Sequence, residues 1–307
     1  MNTRKDKYFS TVKRRELGFE LRRIRERSGY LAFNMSTMLG WNASSISRLE
    51  NGLCKAQDGR VALYLARAKA TTDELDRLIA LDRSPDDGYQ VRPHPTGFPD
   101  ALLLIAMLDA ESSSFTTYDA TGVPRHLQVE PYIRAALAHH GHMDGPVLDA
   151  AIQDRLTRQP SDSRKPGPFT FYIPEAAFPR KPENPAVIHE QLVHLVLLSS
   201  FPRCHLHLVP AAAVVADLSS GFTVYRHDEH PPVVHHQHPT ASVFLENAHD
   251  VAYYESHLER LAKRALDRQK SRELLCRKLA DMERRLEHDR HEKAQRGNGA
   301  LQDRVTA

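Results

Sequence analysis

The sequence predicts a mainly α-helical N-terminal domain of five helices, followed by a larger α+β domain that ends in a long helix. Three observations carry this prediction. Apolar residues recur at helical spacing from Lys13 to Arg83. Pro85, Gly88, Pro93, Pro95, Gly97 and Pro99 then crowd one short stretch, where neither a regular helix nor a central strand can continue. Beyond Ala101, helical and β-like runs are mixed without regular alternation, the pattern of an α+β domain and not of a doubly wound sheet.

Taken in order, residues 1–12 form a basic flexible arm. In 13–83 the first helix buries Leu17, Leu21 and Ile24, and Gly29 caps its end. The second, Leu31–Leu39, presents Met35, Met38 and Leu39 to the core. Asn42 is placed to cap the third with its side chain. Ile46 and Leu49 of that helix point inward, and Gly52 closes it. Val61, Leu65 and Ala68 mark the fourth. A capping box at Thr71-Thr72-Asp73-Glu74 opens the fifth, which buries Leu75, Leu78 and Ile79. Residues 84–100 are the linker.

In 101–275 helical runs fall at Leu102–Ala110, Tyr132–His139, Val147–Arg158 and Ala186–Ser199. Strand-like runs fall at Phe169–Ile173, His205–Val209, Phe222–Tyr225, Val233–His236 and Ser242–Leu245. From Ala248 the chain is helical again. Leu275, Leu279, Met282 and Leu286 follow a 4-3-4 step, which fits either packing on the helix's own domain or a short self-association seam; the first is preferred. Residues 276–307 are a helical extension whose end, from Gln295, is disordered.

Composition narrows the classes. A chain of 307 residues holds about two domains of roughly 100–200 residues. The net charge of +3 is nearly neutral, but Arg4, Lys5, Lys7, Lys13, Arg14, Arg15, Arg22, Arg23, Arg25 and Arg27 crowd the first thirty residues. That crowding fits a phosphate-contacting module, or equally a solvated tail and helix face. Cys54, Cys204 and Cys276 form no CxxC, against a structural zinc site or a disulfide framework. No apolar run reaches the roughly eighteen residues of a membrane span, so a cytoplasmic protein without membrane contact is expected.

The stretch Leu39-Gly40-Trp41, then Ser44-Ser45-Ile46-Ser47-Arg48-Leu49-Glu50-Asn51-Gly52, carries the functional signal. A tight turn at Gly40 between two short helices, with small hydroxyl residues opening the second, lets that helix approach base edges and phosphates. Asn42, Ser44, Ser45, Ser47 and Arg48 are the candidate DNA-binding residues. Arg48 suits a guanine edge or a phosphate. Glu50 is expected to pair with an arginine of the first helix, and Trp41 to pack in the turn.

Glu16–Arg83 resembles the DNA-binding domain of the Xre/Cro-like helix-turn-helix transcription regulators. The resemblance implies a compact five-helix fold with double-stranded operator DNA as partner; one such helix reads only a short stretch, so a homodimer on two half-sites is expected. In that family the second helix usually opens with a capping Thr or Ser and often a DNA-touching Gln. Here the stretch is Leu31-Ala32-Phe33-Asn34, and Asn34 is the residue left to substitute.

Residues 101–275 resemble the uncharacterised C-terminal domain that often follows such a domain in actinobacterial regulators. The resemblance rests on the order of short motifs, among them Gly122-Val123-Pro124, Arg155-Leu156-Thr157-Arg158-Gln159, Pro174-Glu175-Ala176-Ala177-Phe178, Gln191-Leu192-Val193-His194-Leu195 and His207-Leu208-Val209-Pro210. It implies an effector or partner-binding domain and, as the alternative function, a toxin–antitoxin-like pair in which this domain holds a small partner protein encoded nearby.

No nucleophile elbow, Walker loop, dinucleotide fingerprint or HExxH occurs, so no enzyme activity and no cofactor are expected. His205, His207, His227, His230, His235, His236 and His238 lie close in sequence with Asp228 and Glu229. Pairs at i, i+2 on a strand suit a metal, but Pro231-Pro232 interrupts the run, and no metal site is assigned.

Overall fold

The computed structural model describes residues 10–56, 59–94, 103–138, 145–157, 167–179, 182–213 and 220–305. The basic arm up to residue 9, linker residues 95–100, and Arg158 and Gln159 of the second-domain motifs lie outside them. The chain divides into two compact units, 1–113 with 224–256, and 114–223 with 257–307. The divisions fall after Ser113, after Thr223 and after Ser256.

The first unit opens with α1 (Val12–Arg27), α2 (Ala32–Leu39), α3 (Ala43–Glu50), α4 (Arg60–Arg67) and α5 (Thr72–Arg83). Local chemistry sets their ends. Thr11 Oγ1 accepts the Arg14 N–H at the start of α1. The capping box of α5 is reciprocal: Thr71 Oγ1 accepts from the Glu74 N–H, and Glu74 accepts from the Thr71 N–H. Hydrogen bonds from Arg27 hold the Glu74 carboxylate down at about 2. Leu17, Leu21, Ile24, Met35, Ile46, Leu49, Leu65 and Leu78 share one buried cluster. Met38 departs from expectation and is exposed. The packed stripe of α2 is Ala32, Met35 and Leu39, and in a helix of two turns Met38 falls at its edge.

The same unit holds β1 (Tyr89–Pro93), α6 (Leu103–Glu111), β6 (Val233–Gln237) and β7 (Ala241–Leu245). β1 and β6 flank β7, both antiparallel to it, with Tyr89 opposite Leu245 and Val234 opposite Leu245. β1 falls within the expected linker, 84–100, and lies at the edge of its sheet. Its Pro93 sits at the end of the strand, where a sheet tolerates proline.

In the second unit β2 (Ser114–Tyr118), β3 (Phe169–Pro174) and β4 (Cys204–Val209) run parallel, Phe115 opposite Phe169 and Phe169 opposite Cys204. Parallel neighbours need long crossovers. α7 (Glu130–Ala138) and α8 (Gly145–Thr157) lie between β2 and β3, and α9 (Pro185–Leu198) between β3 and β4. β2 was not foreseen. Cys204 is buried, and burial pushes its thiol up to about 12. β5 (Phe222–Arg226) and α10 (Ala248–Arg264) precede the last helix, α11 (Arg268–Val305). Asp267 starts α11 by accepting the Lys270 N–H. Leu275 and Met282 are buried and α11 packs along α9, so the seam is covered by its own unit beyond Leu275. The end that the sequence reads as disordered continues as helix to Val305. No helix among the described residues is long and apolar enough to cross a membrane.

Candidate nucleic-acid interface

α2 ends at Gly40, whose φ of 66° lies in the left-handed region. The Trp41 N–H then returns to the Ser36 carbonyl at 2.9 Å, closing the helix and reversing the chain. Three residues later α3 begins. Ile46, Leu49 and Glu50 face inward, while Ser44, Ser47 and Arg48 are exposed and Ser45 is half-buried. The candidate DNA-binding residues of α3 therefore lie on the face opposite its anchors, as the 3.6-residue period requires.

Two capping details differ from expectation. Asn42 holds the N-cap position, but its side chain makes no capping hydrogen bond; its backbone carbonyl accepts from Ser45 and Ile46 instead. Its exposed amide stays available to a ligand. Asn34 caps its own helix, Oδ1 accepting the Leu31 N–H at 3.2 Å. That bond occupies the oxygen of an exposed side chain, and the remaining polar group, Nδ2, is a donor. Ser47 accepts from Asn51 Nδ2 at 3.3 Å.

Glu50 anchors α3. Its carboxylate receives Arg25 Nε at 2.7 Å and Arg25 Nη2 at 2.8 Å, Tyr64 Oη at 2.6 Å and Arg22 Nε at 3.3 Å. Burial pushes this carboxyl up, but the hydrogen bonds from Arg25 and Tyr64 outweigh it and hold it below the usual range. The Arg25 guanidinium is raised in turn, chiefly by Glu50. The expected pairing of Glu50 with α1 is thus present, and Tyr64 of α4 completes it.

The same pairing decides what the basic N-terminal region does. Arg14 meets Asp86, Arg23 meets Glu20 and Glu74, and Arg27 meets Glu74. Lys13 donates to the backbone carbonyls of Asp82 and Ser84. The cations of α1 bind the fold together and are not a phosphate-facing stripe. Their acidic partners lie as far as 96 residues along the chain, as with Arg15 and Glu111, which no charge count along the sequence shows.

Two further cations sit beside α3, Lys55 from the following loop and Arg60 from the start of α4. Trp41, Ser45, Arg48, Lys55 and Arg60 line a shallow depression, with the Arg60 guanidinium 4.1 Å over the Trp41 ring. That stacking fixes Arg60 next to the helix. Trp41 packs in the turn as expected and also positions a cation. Lys55 and Arg60 were missed by sequence reasoning; their place between the end of α3 and the start of α4 was the available signal. At the start of α2, Leu31 and Phe33 are 70% and 71% exposed.

Four of these seven histidines make packing contacts and local bonds. His205 and His207 bond the carbonyls of Pro202 and Leu266. His235 contacts Ser242 Oγ at 3.0 Å, and His236 packs on Tyr254. Among the described residues no three His, Cys, Asp or Glu side chains converge as a metal site would need.

The family model of a helix-turn-helix domain matches residues 16–78. That of a domain of unknown function (DUF5753) matches residues 102–277, more than half of the chain. No curated protein and no solved structure matches it.

Proposed function

The chain belongs to the DUF5753 family and carries a helix-turn-helix domain ahead of that region, and from that premise we propose that it is a sequence-specific transcription regulator reading the DNA major groove with α3. One observation supports this most. The exposed face of α3 presents Ser44, Ser47 and Arg48, and no ion pair of Arg48 occurs among the described residues, whereas nearly every cation of α1 is engaged. An unpaired arginine beside short hydroxyls is what base and phosphate recognition requires. Asn34, Asn42, Lys55 and Arg60 supply the flanking backbone contacts. One such helix reads a short site, so two copies on two half-sites are part of the proposal. The regulator works in the cytoplasm and needs no catalytic step or cofactor.

A second reading draws on Leu31 and Phe33. Their exposure at the start of α2, where the related domains carry polar DNA contacts, suits a protein partner, with DNA binding secondary. A complex stable at high salt, from a chain without salt-dependent DNA affinity, would favour it.

The test is a double substitution. Ser44→Ala with Arg48→Ala is expected to reduce operator binding to the non-specific level, a loss of at least about a thousandfold, with an unchanged circular dichroism spectrum. Specific binding that survives in the folded double variant would show that α3 is not the reading helix.

A further inference from the structure

Arg15 is the exception among the cations of α1. Its side chain is 2% exposed. Nη1 lies 3.5 Å from Glu111 Oε2 and 3.3 Å from His227 Nε2. Nε and Nη2 are buried with no hydrogen-bond partner among the described residues. Buried donors of a charged group are costly to leave unpaired, and folded proteins give them a partner, water or a ligand. Arg15 can only donate, so His227 accepts through Nε2. Burial, and then the Arg15 charge, push that imidazole down to about 4, so it stays neutral at Arg15's side.

Nδ1 of His230 is likewise buried without a partner. Arg15 and His230 line one cavity of about 320 Å³, together with Glu50, Asn51, Glu111 and Glu229. The space suits a small metabolite, and its wall is mostly polar.

The cavity touches the end of the recognition helix, since Glu50 closes α3 and Asn51 follows it. The backbones meet at this point. A Cβ on Gly52 would lie 2.6 Å from Ser10 Oγ and 2.7 Å from the Arg15 nitrogen. A shift of Arg15 therefore has no slack to absorb it before it reaches α3.

We propose that this cavity is an effector site, binding a small molecule through a carboxylate or phosphate oxyanion held by Arg15 and His230. The link from occupancy to the placement of α3 rests on the DNA-reading proposal; the binding itself does not. Isothermal titration of the full chain with sodium phosphate, and separately with sodium acetate, at constant ionic strength tests it.

Saturable uptake of one anion is expected, weakened at least about tenfold in Arg15→Gln and in His230→Ala, since a hydrogen bond to a charged group contributes on that scale. Preference for phosphate identifies a phosphorylated effector, and preference for acetate a carboxylate. Uptake of neither anion by the wild type, or unchanged uptake in either folded variant, overturns the proposal. If Arg15→Gln does not fold, His230→Ala decides. Calorimetry involves no DNA, so anion binding without operator binding would remove only the regulator reading.

Discussion

Replacing Glu50 with alanine is expected to destabilise the helical domain by about 3–5 kcal/mol, the range for removing one member of a buried ion pair. The loss comes from what remains. Arg25 is buried and its guanidinium points at the vacated carboxylate through two nitrogens, and the Tyr64 hydroxyl loses its acceptor. The domain's stability is only of that order for its size. Trp41 is the single tryptophan and packs against this core, so its fluorescence during urea unfolding reports the domain. A loss below about 1 kcal/mol, typical of an exposed pair, would show that the network contributes little.

Gly18→Ala should be destabilising as well, although helix propensity argues the opposite sign. In an ordinary helix interior the change gains about 1 kcal/mol. Here α1 and α3 cross at Gly18. An added Cβ would sit 2.5 Å from the Glu50 carbonyl oxygen and 2.7 Å from that of Leu49, backbone atoms that cannot rotate away. The helices must separate, at a cost of about 1–3 kcal/mol for overpacking. Because α3 is what moves, DNA affinity should fall with stability. The same urea series reads the sign; a stabilised variant would mean the crossing is looser than the geometry says.

The five helices were legible because their signals are local. The Thr71–Glu74 box, the glycine after α2 and the Leu17, Leu21, Ile24 stripe each act within a turn or two of chain. The exposed face of α3 followed from the same period. What the sequence hid depends on distant partners. Gly18 reads as a weak helix residue until α3 is laid across it. The arginines of α1 read as a DNA footprint until Glu50, Glu74 and Asp86 are found beside them. β1 and β2 are short strands in polar or proline-bearing stretches, and β1 is held by β7, which lies about 150 residues further along. Arg15 looks like one basic residue among ten. Its role emerges only when its neighbours fail to satisfy it. Asn42 is the reverse case, where a strong local preference for capping is not exercised and the side chain is left outward.

The central claim is that α3 reads an operator. The most direct measurement is binding of the purified full chain to DNA from upstream of its own gene, across a salt series, with a scrambled fragment of equal length as control. The account predicts selective binding to the upstream fragment, with affinity falling steeply as salt rises, by about one unit of logarithmic slope for each phosphate contact. Equal, weak binding to both fragments at every salt concentration would contradict it, and would move the weight to a protein partner held by the larger domain.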